Sequence, residues 1–286
     1  MNNRKKNIPS YESYNGHSNL VRLLITVTLA LCSTAIFSAN LDRAVQLRDS
    51  GRTNEAIRLL KMEKKPTLEE NALLGKLYLD INDFKTSLYY YNLSCPALNQ
   101  AWCFNEWGVA FMMAGVYKNA WGAFIKAVEM EPENPQYHSN LGLCFFYRGK
   151  ADDARKHYKL ALEYDSQHDT ANINYAVLLI RERLYEDSVK ILQKVLARDD
   201  SNHFALLYLG YAYYRQKQYG LAIEQYDQAI VFQPNSADLY IYRAYAYYEM
   251  NSLGQAETDL NRAESIHPNH PKAGVLRSMI QRRRGY

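Results

Sequence analysis

The sequence predicts an all-α fold, a stack of antiparallel helix pairs, on three observations. From residue 101 the chain repeats every 34 residues without an insertion, as 101–134, 135–168, 169–202, 203–236 and 237–270. Inside each unit, small residues recur at positions 8, 20 and 27, and a large apolar or aromatic residue recurs at position 24. The 286 residues include only 13 glycines and 8 prolines, and 48% are hydrophobic, which excludes a collagen-like or a long disordered chain. One such unit is too short to bury its own apolar face, so the array folds by stacking neighbours.

The N-terminus stands apart. Residues 1–22 form a basic region with Arg4, Lys5, Lys6 and Arg22 against Glu12. Residues 23–39 (LLITVTLALCSTAIFSA) carry no charge and predict a transmembrane anchor or signal segment, at the short limit for a spanning helix. Three readings stand beside the plainer one of a buried core helix. The segment is an uncleaved anchor; or it is cleaved near Ser33-Thr34-Ala35; or it is a lipoprotein signal, since Leu29-Ala30-Leu31-Cys32 is lipobox-like, with Leu31 where Gly or Ala is expected. All three leave the basic N-terminus in the cytoplasm and export the residues after 40. The expected location is then a bacterial inner membrane with the repeats in the periplasm, or the periplasm itself after cleavage.

Residues 40–100 read as two degenerate units. Gly51, Ala56 and Leu60 keep the register in the first, and Gly75, Tyr78, Phe84, Ser87 and Tyr91 keep it in the second, which is one residue short before Ala101. In the five regular units position 8 is Gly108, Gly142, Ala176, Gly210 and Ala244, and position 20 is Ala120, Ala154, Ser188, Ala222 and Ala256. Position 27 is Ala127, Ala161, Val195, Ala229 and Ala263, and position 24 is Phe124, Tyr158, Leu192, Tyr226 and Leu260. Small residues at 8 and 20 let the two helices of a unit approach, the large residue at 24 fills the space beside them, and position 27 admits the next unit. Gly115 and Gly149 supply turns between helices, while Pro132, Pro234 and Pro268 end second helices. Residues 271–286 read as a closing helix, Ala273 to Arg283, with a basic tail.

The residues with catalytic or ligating chemistry form no constellation. The seven histidines make no paired metal motif; His267 and His270 flank Pro268 in a turn, where exposed polar residues are expected. Asp152-Asp153 and Asp199-Asp200 fall at helix starts or turns and suit the helix dipole. No phosphate loop is present. No enzyme activity, cofactor, metal or small-molecule substrate is therefore expected. Residues 40–270 carry a net charge of −4, which argues against nucleic acid as the partner. Of four cysteines, Cys32 lies in the apolar segment and Cys144 falls mid-helix as a packed thiol. Cys95 and Cys103 bracket the shortened junction, and export would let them form a disulfide; two packed thiols are the other reading.

The repeat pattern resembles the tetratricopeptide repeat (TPR) family over about 170 residues, 101–270. The resemblance implies an α-solenoid, a right-handed superhelix of seven antiparallel helix pairs and a cap. It also implies a concave groove lined by positions 2, 5, 9, 12 and 13 of each first helix. Those positions hold Phe204, Leu207, Tyr211 and Tyr214 with Arg215 at the edge, then Ile241, Tyr245 and Tyr248, and, in 135–168, Phe146 and Tyr147. Twenty-five tyrosines against 9 phenylalanines supply rings with apolar bodies and polar tips. The expected partner is an apolar or amphipathic peptide segment; the competing reading is that the rings merely pack on one another. The carboxylate clamp of chaperone-binding relatives is not matched: Asn140 and Asn174 are in place, but Asn105, Ser139, Ile173, Thr170 and Phe204 stand at its other positions. The resemblance implies an envelope scaffold of the kind that assembles pili or secretion machines. A cytosol-facing anchored co-chaperone and a regulatory subunit of an envelope enzyme are the alternatives.

Overall fold

The computed structural model describes residues 39–62 and 65–285. The basic region 1–22 and, apart from Ala39, the apolar segment 23–39 with its anchor, cleavage and lipid-attachment readings lie outside the described residues. No helix among the described residues is long and apolar enough to cross a membrane.

The described residues are helices joined by turns, with no strand among them. The chain divides into two compact units, one up to Ala114 and one from Gly115. This boundary falls inside the first regular repeat rather than at residue 100, where the repeat register slips. The first unit contains α1 (39–49), α2 (Thr53–Lys61), α3 (Leu68–Asp80), α4 (Phe84–Leu98) and α5 (Ala101–Met113). Its core gathers Ala44, Ala56 and Leu60 with Leu74 and Leu77 of α3. Thr67 and Glu70 form a reciprocal capping box at the start of α3, which holds the buried Glu70 carboxylate.

The second unit contains α6 (Tyr117–Met130), α7 (Pro135–Tyr147), α8 (Ala151–Tyr164), α9 (Asp169–Arg181) and α10 (Tyr185–Leu196). It continues with α11 (His203–Arg215), α12 (Tyr219–Phe232), α13 (Ala237–Glu249), α14 (Leu253–Ile266) and α15 (Pro271–Arg284). First helices open at position 1 of each repeat, second helices at position 17, in the register the sequence sets. Pro135 and Pro271 occupy the first turn of their helices, where a missing N–H costs nothing. Asn134 and Asn202 cap α7 and α11 through their side-chain oxygens.

The positions chosen for size behave as expected. Ala120, Ala154, Ser188, Ala222 and Ala256 are fully buried, as are Ala127, Ala161, Val195, Ala229 and Ala263. Gly142 faces the ring of Tyr158, Gly210 that of Tyr226 and, in the first unit, Gly75 that of Tyr91. The turn between paired helices has one conformation throughout. Position 15 is left-handed at Gly115 and Gly149 and equally at Arg183, Lys217 and Asn251, with φ from 61° to 75°. Glycine is thus convenient there and not required. α15 docks on α13 and α14 by burying Ala273, Leu276 and Ile280, as a closing helix should.

Candidate partner-binding groove

In the second unit the first helices α7, α9, α11, α13 and α15 lie side by side, and the second helices α8, α10, α12 and α14 each pack against the first helices before and after them. The first helices therefore form one layer. Because 3.6 residues make a turn, positions 2, 5, 6, 9, 12 and 13 fall on one face of each helix, turned from the partner that positions 8 and 20 approach.

On this face the structure brings together a run of rings and cations. Tyr211 stacks on Tyr214 at 6.4 Å and meets Tyr242 of the next helix at 5.9 Å between centroids. Tyr242 in turn stacks at 6.1 Å on Tyr226, one of the rings that fill the core. Lys272 crosses from α15, donates to the Tyr242 hydroxyl at 2.8 Å and lies 4.5 Å above its ring. Arg215 donates to the Tyr211 hydroxyl at 3.1 Å and covers the Tyr185 ring at 5.4 Å. Arg181 covers Phe146 at 4.9 Å and donates to its carbonyl at 3.2 Å. Burial raises the hydroxyl pKa of Tyr208 and pushes that of Tyr214 up to about 12, so both remain neutral hydrogen-bonding groups at physiological pH.

Between α11, α13 and α15 the face opens into a cleft of about 410 Å³ lined by Phe204, Leu207, Tyr208, Leu239, Tyr242 and Lys272, with Asp238 at its rim. Phe204 is 54% exposed beside it, and Tyr147 on α7 is 55% exposed while stacking on Tyr117 at 5.5 Å. The rings differ in exposure from place to place. Tyr211, Tyr214, Tyr245, Leu207 and Phe146 are half-buried, while Phe204, Tyr147 and Arg215 stand open.

Two expected lining residues are not on an open surface. Ile241 is fully buried with Leu260, Leu276 and Ile280, and Tyr248 lies beneath the Arg283 guanidinium, 3.8 Å from its ring. The cause is α15, which covers positions 5 and 12 of the last regular repeat. Conversely, Tyr208 and Tyr242 line the cleft from position 6, which the five lining positions of the repeat pattern leave out. A signal for them is present in the sequence, since position 6 is also the place of Asn140 and Asn174.

Elsewhere, Cys95 at the end of α4 and Cys103 at the start of α5 are joined as a disulfide, their Cα atoms 5.3 Å apart. Cys144 is a buried free thiol, and burial raises its pKa to about 11. His138 and His157, 19 residues apart, meet at 3.0 Å between Nδ1 atoms, and His138 Nε2 lies 2.8 Å from the Pro132 carbonyl. That contact orients His138 Nε2–H toward the carbonyl, leaving its Nδ1 to accept from His157. No group of three or more His, Cys, Asp or Glu among the described residues is placed to hold a metal.

Comparison with known proteins agrees with this architecture. Family models for the tetratricopeptide repeat match residues 106–169 and 145–209, and a TPR repeat model matches 210–251, so that together they cover half of the chain. No curated protein sequence matches. Among solved structures, a chain of the APC/C hetero-tetramer Cut9-Hcn1 superposes with a TM-score of 0.73 at 18% identity, over 83% of this chain and 48% of that one, so this chain spans about half of its length. A tetratricopeptide repeat protein from Parabacteroides merdae gives 0.70 at 16% identity, over 86% of this chain and 98% of the other. Pseudomonas aeruginosa pilF gives 0.58 at 17% identity, over 64% and 83%. At such identities these are likenesses of fold. The matched models, the repeat register and the small-on-ring packing agree: the chain belongs to the tetratricopeptide repeat family.

Proposed function

We propose that this chain is a non-enzymatic interaction scaffold of the bacterial cell envelope, which holds a segment of a partner protein on the first-helix face of its second unit. Tetratricopeptide repeats act in general as protein-interaction modules. The observation that carries the reading here is the open cleft beside Phe204, Tyr208 and Tyr242. The rings of Phe204, Tyr208 and Tyr242 stand there around about 410 Å³ of unfilled space. Rings of this kind bury much area at small entropic cost, which is why they dominate binding hot spots.

Envelope placement is supported by the charge-free segment 23–39 behind a basic N-terminus and by the Cys95–Cys103 disulfide, a bond that persists in oxidising compartments. An assembly role for pili or secretion machinery is the narrower form of the same proposal. Two experiments test it. An alkaline-phosphatase fusion at the C-terminus should be active; a stable but inactive fusion would place the repeats in the cytoplasm and refute export. Partners captured by the parent chain should be lost by Phe204→Ala with Tyr211→Ala while the melting temperature moves by only a few degrees. Retained capture would refute the groove.

A further inference from the structure

Position 13 ends each first helix on the groove face and forms a row across the second unit: Tyr147, Arg181, Arg215 and Glu249, on α7, α9, α11 and α13. The two arginines are neighbours in this row, and both are exposed. Arg155, Arg198, Arg243 and Arg277 are each engaged by a carboxylate. Arg181 and Arg215 form no ion pair among the described residues, although both are held in place. Arg181 lies over Phe146 and donates one N–H to its carbonyl; Arg215 lies over Tyr185 and donates one to the Tyr211 hydroxyl. A guanidinium laid on a ring keeps its remaining in-plane N–H donors pointed outward, which is the geometry that receives a carboxylate edge-on. The carboxylate beside Arg181 in sequence, Glu182, is already taken by Arg155.

We propose that this row reads an extended partner segment by charge. The segment presents an apolar residue to Tyr147, an acidic residue to Arg181, a second acidic residue to Arg215, and a basic residue to Glu249. The spacing is set by geometry. Neighbouring packed helices are about 8–10 Å apart, and an extended chain advances about 3.3 Å per residue, so successive reading positions fall on every third residue. A nucleic-acid strand would also find rings and guanidinium groups here. The peptide is favoured because Glu249 closes the row with a negative charge and residues 40–270 carry a net −4, both of which repel a polyphosphate.

The inference rests on the groove reading above, and its test is separable from it. The full-length chain, kept in mild detergent, is titrated into a short fluorescent peptide carrying Phe, Glu, Glu and Lys at every third position with Ser and Thr between, in both chain directions. Anisotropy should show binding by one direction, weakened at least about tenfold when both Glu are Gln, and by about tenfold in each of R181Q and R215Q. The variant E249R should reverse the preference at the fourth position, favouring Glu over Lys there, a gain that loss of folding cannot mimic. Equal binding of the Glu and Gln peptides would overturn the charge row while leaving an apolar groove in place. Failure of both directions to bind, indifference to the arginine substitutions, or tighter binding of an oligothymidine would also overturn it. Capture of the native partner, tested with the Phe204 and Tyr211 variants, decides the groove reading independently.

Discussion

The ring of Tyr226 lies so close to Gly210 that a Cβ added there would stand 2.6 Å from the Tyr226 Cε1 atom. Gly142 stands in the same relation to Tyr158, at 2.7 Å, whereas at Gly75 the nearest atoms of Tyr91 are 3.0 Å away. All three rings are buried, so none can swing aside into solvent. Alanine favours a helix by up to about 1 kcal/mol over glycine, against about 1–3 kcal/mol for forcing a methyl into a packed core. Gly210→Ala and Gly142→Ala should therefore destabilise the second unit by roughly 1–2 kcal/mol, and Gly75→Ala should be closer to neutral. Thermal unfolding of the three variants checks the order; equal effects would contradict it.

Two serines at repeat position 20 should respond to alanine in opposite directions. Ser87 donates at 2.7 Å to the Gly75 carbonyl, but the buried Ser188 hydroxyl has no hydrogen-bond partner among the described residues. Ser188→Ala removes an unsatisfied polar group and should stabilise by about 1 kcal/mol, and Ser87→Ala should cost about as much. Melting temperatures of the two variants should move in opposite senses by a few degrees.

Stability should fall between pH 6.5 and pH 4 through His157. Its pKa is lowered from 6.5 to about 4, by burial first, then by His138 and Lys156, with Asp153 opposing. Between those values the unfolded chain takes up a proton that the folded chain refuses. This contribution to stability is therefore complete above pH 6.5 and is lost as the pH falls toward 4. The melting temperature should drop by a few degrees over that window in the parent and less in His157→Asn. Parallel profiles would exclude the histidine pair as the cause.

Deleting 271–286 should lower both solubility and melting temperature, because Ala244, Leu260 and the Ile241 side chain would lose the cover of Leu276 and Ile280. A truncated chain as soluble and as stable as the parent would disprove the capping role.

In an exported chain, Cys95 and Cys103 should resist alkylation until reductant is added, with Cys144 protected by burial in the folded state. Closing so small a loop contributes about 2–3 kcal/mol at most, so reduction should soften the first unit without unfolding the second. Intact-mass analysis reads the outcome, and alkylation of both thiols without reductant would remove the bridge.

What could be read from the sequence was whatever every repeat must solve alike. Positions 8, 20, 24 and 27 face the same neighbours in each unit, so residue size alone placed Gly142, Ala154, Tyr158 and Ala161 in the core. Periodicity carries no information on contacts made once. Ile241 and Tyr248 are hidden under α15, and the same positions are buried at Ser139, Ile173 and Ile180, although the groove template assigns them to an open surface. The His138–His157 contact arises from two residue types that coincide in one pair of helices only. Arg183, Lys217 and Asn251 occupy a left-handed turn that composition marks only where glycine is used.

The division of labour along each repeat has an evolutionary consequence. On the proposed groove reading, most positions that face a partner differ from those that hold the helices together, so recognition can drift while the frame is kept. Tyr242 is where that independence breaks. Its ring touches Tyr226 in the core, Tyr211 on the face and Lys272 on the closing helix. A lineage that changes its partner can rewrite Phe204 or Arg181 freely, but it can alter Tyr242 only together with the interior it leans on.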